Sequence, residues 1–133
     1  MTNAKEEEQF FTFLSLATTL YKANEADVLL LLLQRPIDWG KLAKKTSRLN
    51  VVLVANDEEI LADADDESFT KLVVASSYAS IYDQLNQAIL DGLASEQLSS
   101  GADVVAVYNA FEQEDSLVNS LSFIRLDDRL GRL

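Results

Sequence analysis

The chain has 133 residues, of which 48 % are hydrophobic, and it carries 22 acids against 11 bases for a net charge of −11. That is one domain's worth of sequence, able to bury about two-thirds of the surface its unfolded chain exposes, so it needs no disulfide or metal to fold. The chain holds no Cys and no His, which excludes thiolate chemistry, zinc–sulfur sites and imidazole proton transfer, and the acidic balance argues against nucleic acid and anionic membrane as partners.

Residues 5–22 carry Phe10, Phe13, Leu14, Ala17, Leu20 and Tyr21 at three- and four-residue spacing, which predicts an amphipathic helix. Its first turn holds the acidic run Glu6-Glu7-Glu8, where negative charge suits the helix dipole. A secretory signal would begin basic and turn apolar, so none is read here. The longest apolar run, Val28 to Leu33, is far short of the roughly 20 residues a membrane-spanning helix needs. The expected setting is cytoplasmic.

That run, Val28-Leu29-Leu30-Leu31-Leu32-Leu33, shows no alternation and reads as a strand covered on both faces. Pro36 closes it, and Asp38 is placed to cap a short helix over 39–46 that turns Trp39, Leu42 and Ala43 inward. Val51 to Ala55 is a second buried strand, β-branched and apolar. Asn56, with Glu59 three residues on, predicts a capped brief helix reaching about Ala64. Leu72 to Ala75 is expected as a third buried strand. Ser80 and Asp83 open a long helix with Ile81, Leu85, Ala88, Ile89, Gly92, Leu93 and Leu98 on its buried side, ending near Gly101. Val104 to Tyr108 is the fourth buried strand. Leu117 to Leu126 partly alternates, as an edge strand with one wet face would. Apolar strands alternating with helices give a three-layer α/β/α sandwich around a mostly parallel sheet. The domain is expected over residues 1–126, with 127–133 starting a linker.

Ligands in open α/β sheets bind beyond the carboxyl ends of the strands, where strand order reverses. The residues there include Arg35, Asp38, Ser76, Ser77, Tyr108 and Asn109, the candidate ligand-binding set. Their amides, hydroxyls and one cation suit a small polar ligand better than catalysis; the plain alternative is that strand ends are polar because they meet water. Arg35 stands between a buried strand and a helix start, so it could hold an anion or close a surface salt bridge. The cluster Asp63, Asp65, Asp66 and Glu67 lacks the glycine and distant Glu of a helix–loop–helix calcium site and reads as a solvated loop. Glu58 and Glu59 read as helix-start charges. With no glycine-rich dinucleotide or phosphate loop present, no cofactor and no catalytic residue is expected. A receiver domain is excluded because the strand ends lack its acids and its Lys.

The order of these segments resembles the C-terminal α/β domain of pyruvate kinase. The matching pieces run from Val28 to Asp38, Asn50 to Asn56, Phe69 to Ala75, Ser100 to Val107 and Asn119 to Leu126. The resemblance implies five strands in the order 3-2-1-4-5 with the last antiparallel. The turn Gln34-Arg35-Pro36-Ile37-Asp38-Trp39 departs from the Ser/Thr/Gly-rich effector loop of those enzymes, so sugar-phosphate binding does not carry over. Pro36-Ile37-Asp38-Trp39 and the exit Ser122 to Leu133 also resemble the sensor domain that precedes the catalytic domain in bacterial diadenylate cyclases. That resemblance implies a regulatory domain fused to a cyclase that makes cyclic di-AMP. The cyclase motifs Asp-Gly-Ala and Arg-His-Arg are absent; Asp91-Gly92-Leu93 matches the first only in part and sits in a helical pattern. Two other readings stay open at this point: a homodimerisation module acting through its last strand without a ligand, and a small carboxylate-dependent hydrolase.

Overall fold

A computed structural model describes residues 4–65, 68–74 and 80–126. Helix α1 spans Ala4–Ala23, strand β1 Val28–Leu32, helix α2 Trp39–Lys45 and strand β2 Val51–Ala55. A 3₁₀ turn over Glu58–Leu61 leads to β3 at Phe69–Val73, then α3 at Ile81–Ala94, β4 at Asp103–Tyr108 and β5 at Ser120–Arg125. The sheet order is β3-β2-β1-β4-β5. The first four strands run parallel, and β5 pairs antiparallel with β4.

β1 lies at the centre because both of its faces are apolar. Leu29, Leu31 and Leu33 pack under α1 and α2 with Phe10, Leu14, Leu42, Leu53 and Val107. Val28, Leu30 and Leu32 turn to α3, meeting Ile81, Leu85, Ala88 and Ile89. Burying one such leucine side chain stabilises the fold by about 1.5–3 kcal/mol, which is why an unbroken leucine run marks the middle of the sheet. Phe11 was no part of the expected apolar face of α1, yet it is buried. Its ring sits edge-on to Phe10, with centroids 5.1 Å apart, and the Lys41 ammonium lies 4.4 Å above it.

Four expectations need correction. β3 is only partly covered: at the sheet edge Phe69 is buried on the α1 and α2 side and Leu72 on the α3 side, while Lys71 and Val73 are exposed. It also starts earlier than Leu72, and Ala75 lies outside the described residues. The brief helix after β2 is a single 3₁₀ turn, and its cap is Asp57, not Asn56. Asp57 is the residue with extended backbone, and its Oδ1 accepts from the Glu59 amide at 3.0 Å.

Helix α3 stops at Ala94 rather than near Gly101. Glu96 adopts φ +65°, and the Leu98 amide turns back to the Gly92 carbonyl at 2.9 Å. Leu98 therefore covers the helix from outside it. A Cβ on Gly92 would come within 2.6 Å of the Leu98 side chain, so any larger residue there forces Leu98 to shift. Gly101 does take a left-handed conformation, φ +87°, but in the turn before β4, where its amide donates to the Leu126 carbonyl. Finally, β5 begins at Ser120; Leu117 and Val118 are buried in the loop before it, plugging the core beneath α1.

Candidate functional site

Strand order reverses between β1 and β4, whose neighbours are reached by crossovers in opposite directions. The carboxyl ends of these two strands hold a site assembled from three pieces: the turn after β1, the loop after β4 and the first turn of α1.

The turn after β1 is tied to α1 by two acids. Glu6 Oε2 meets Arg35 Nη1 at 2.8 Å, and Glu7 Oε1 accepts the Asp38 amide at 3.1 Å. Glu6 is 8 % exposed, so its carboxylate would be costly without the guanidinium. Asp38 meanwhile caps α2, its Oδ1 accepting from the Lys41 amide at 3.0 Å.

The loop after β4 is organised by Asn109, which is 1 % exposed. Its Nδ2 donates to the carbonyls of Gln113 at 2.8 Å and Ser116 at 3.0 Å. Its Oδ1 accepts from the Gln113 amide at 3.1 Å and from Asn119 Nδ2 at 2.6 Å. A longer contact, 3.4 Å, reaches Gln34 Oε1 and joins the ends of β1 and β4. Asn119 closes the loop from the other side, its Oδ1 accepting the Ala110 amide at 3.0 Å.

Between the first turn of α1 and this loop lies a cleft of about 330 Å³, lined by Lys5, Glu6, Gln9, Gln113, Asp115 and Ser116. Both charge signs and neutral donors and acceptors meet there, which suits a small ligand rich in hydrogen-bonding groups. Arg35 stands behind the cleft through Glu6, and Asn109 shapes it by fixing Gln113 and Ser116.

The six expected residues are thus only partly together. Arg35 and Asp38 lie on the α1 side. Asn109 is internal to the loop, its amide spent within the chain. Tyr108 points to the other face, where its hydroxyl bonds that of Ser122 and its ring meets Tyr82 of α3 edge-on at 5.9 Å. Ser76 and Ser77 fall outside the described residues, as do Asp66 and Glu67 of the acidic cluster; Asp63 and Asp65 are exposed. Sequence reasoning passed over Glu6, Gln113 and Ser116. Glu6 left a signal: it lies four residues before Phe10, in phase with the apolar stripe of α1, where a carboxylate requires a cationic partner.

At the opposite end of the sheet, Asp103 receives a two-pronged contact from Arg125, Nε to Oδ1 at 2.8 Å and Nη2 to Oδ2 at 3.2 Å. The hydrogen bond from that guanidinium holds the Asp103 carboxyl below its ordinary value and raises Arg125.

The architecture defines the class: a three-layer α/β/α domain built as in pyruvate kinase. Two crystal structures of pyruvate kinase from Cryptosporidium parvum superpose with TM-scores of 0.59 and 0.58 at 14 % identity, over 83 % of this chain. The chain spans only 21 % of either enzyme, and at that identity the likeness is one of fold. No curated protein matches the sequence. The chain belongs to the family described as the probable sensor domain DacZ_P, whose model matches residues 9–133. No helix among the described residues is long and apolar enough to cross a membrane.

Proposed function

We propose that this domain is the non-catalytic regulatory module of a diadenylate cyclase, and that it reads a small polar ligand at the carboxyl ends of β1 and β4. Residues 1–126 form the module, 127–133 begin the connection to the cyclase, and the setting is cytoplasmic. The observation that carries the reading is the cleft at the strand-order reversal, in a chain whose family is described as a sensor. Ligands of open α/β sheets favour that position. Lys5 supplies a cation, Gln113 and Ser116 supply neutral hydrogen-bonding groups, and Arg35 holds Glu6 in place at the wall. A ligand that prefers one arrangement of α1 against the loop after β4 shifts the population of that arrangement, and with it the attached enzyme. Homodimerisation is compatible with the same role, since no described strand pairs with the outer edge of β5.

The test is a thermal-shift screen of the isolated chain against nucleotides, sugar phosphates and amino acids. A ligand at a hundredfold excess over its Kd stabilises the fold by about 2.7 kcal/mol. The shift should vanish in Lys5→Ala and Ser116→Ala variants that still fold, and the same compound should alter cyclic di-AMP synthesis by the parent enzyme. A flat screen, together with unchanged parent activity in those variants, would refute the reading.

A further inference from the structure

The two edges of the sheet are unlike. β3 carries the exposed Lys71 at its centre, a charge that discourages pairing with another strand. β5 carries nothing comparable. From Ser116 to Ile124 the sequence has no charged residue, in a chain of net charge −11. The one charge on the strand, Arg125, is held by Asp103 of its own chain. No described strand pairs with the outer edge of β5, and Phe123 is 42 % exposed there.

Hydrogen-bond parity decides which peptide groups that edge presents. The Leu126 amide donates to the Ala102 carbonyl at 2.8 Å, while the Asp27 amide takes the Asp103 carbonyl on the β1 side, also at 2.8 Å. With Val104 opposite Ile124 and Ala106 opposite Ser122, residues 120, 122 and 124 direct their peptide groups at β4. Those of Leu121, Phe123 and Arg125 face outward.

We infer that β5 is a homodimerisation strand, pairing antiparallel with its own copy about a two-fold axis at Phe123. The outward set is self-complementary around that residue: Phe123 faces Phe123 of the second copy, Leu121 faces Arg125, and Ser122 faces Ile124. Three hydrogen-bonded residue pairs then give about six backbone hydrogen bonds. No like charges stand opposite each other, and each Leu121 covers the alkyl stem of the other copy's Arg125. An acidic protein repels its own copy over most of its surface, so contact is favoured where charge is absent. The inference goes beyond the ligand reading and does not depend on it.

Sedimentation velocity from about 1 to 500 μM tests it, a range that brackets a weak, reversible interface. The expected result is a monomer–dimer equilibrium that Phe123→Lys shifts at least tenfold toward monomer, because it sets two ammonium groups across the axis, while Lys71→Thr leaves it unchanged. Amide exchange on the wild-type chain gives a second readout that needs no variant: the Leu121, Phe123 and Arg125 amides should gain protection as concentration rises. A chain that stays monomeric throughout, a dimer indifferent to Phe123→Lys, or protection that grows on β3 instead would overturn the assignment.

Discussion

Replacing Asn109 with Ala should be among the most damaging single changes in the domain. Its side chain makes four short hydrogen bonds, to the Gln113 and Ser116 carbonyls and from the Gln113 amide and Asn119 Nδ2. Each is worth about 0.5–1.5 kcal/mol net. The Gln113 and Asn119 groups lie near water and recover part of the loss, whereas Ser116 is buried and its carbonyl does not. The expected cost is about 2–4 kcal/mol. For a domain of this size that lowers Tm by about 6–16 °C, at roughly 3–4 °C per kcal/mol. Urea unfolding followed by far-UV circular dichroism and by the single tryptophan, Trp39, would measure it. Asn109→Asp is the matched control: it keeps the acceptor, but it turns two donations into contacts between a carboxylate and carbonyl oxygens, so it should cost at least as much. A loss below about 0.5 kcal/mol, the level of an ordinary surface substitution, would refute the idea that this amide organises the loop.

The Glu6–Arg35 pair should respond asymmetrically: Arg35→Ala removes the guanidinium that faces a buried carboxylate and costs about 2–3 kcal/mol, while Glu6→Gln leaves that guanidinium facing a neutral amide and within reach of water and costs about 1 kcal/mol, both read from urea midpoints. Gly92→Ala should destabilise by about 1–2 kcal/mol despite alanine's better helix propensity, because its methyl meets Leu98; thermal melts decide this, and a gain in Tm would contradict it. The Asp103 carboxyl is held below its ordinary value, so the contribution of its pairing with Arg125 is present at neutral pH and is lost as pH falls below about 4. Arg125→Gln should therefore lower stability at pH 7, and the gap to wild type should close in acid.

The sheet was legible because hydrophobic burial leaves a pattern. β1, β2 and β4 appear as unbroken apolar runs since both of their faces are covered, and Asp38 and Ser80 announce the helices they cap. β3 misled because Leu72-Val73-Val74 looks doubly buried, while at the sheet edge Val73 lies exposed among the described residues. The site was harder to read for a related reason. Strand ends can be located from sequence, but which way a polar side chain turns depends on partners far along the chain. Tyr108 went to the α3 face because strand alternation put it there beside Tyr82 and Ser122. Asn109 was claimed by its own loop. Arg35 found Glu6 from the first turn of α1, 29 positions earlier.

Because β5 returns antiparallel, the chain leaves the sheet beside Asp103, at the end remote from the cleft. A strand the length of β4 spans about 20 Å. On the proposed ligand reading, an event at the cleft would reach the exit by moving a stiff rod as a whole, a tilt or slide of β4 and β5 relayed through the Asp103–Arg125 clasp. On that reading the clasp is the coupling joint, and loosening it should uncouple input from output while leaving the receiving end intact.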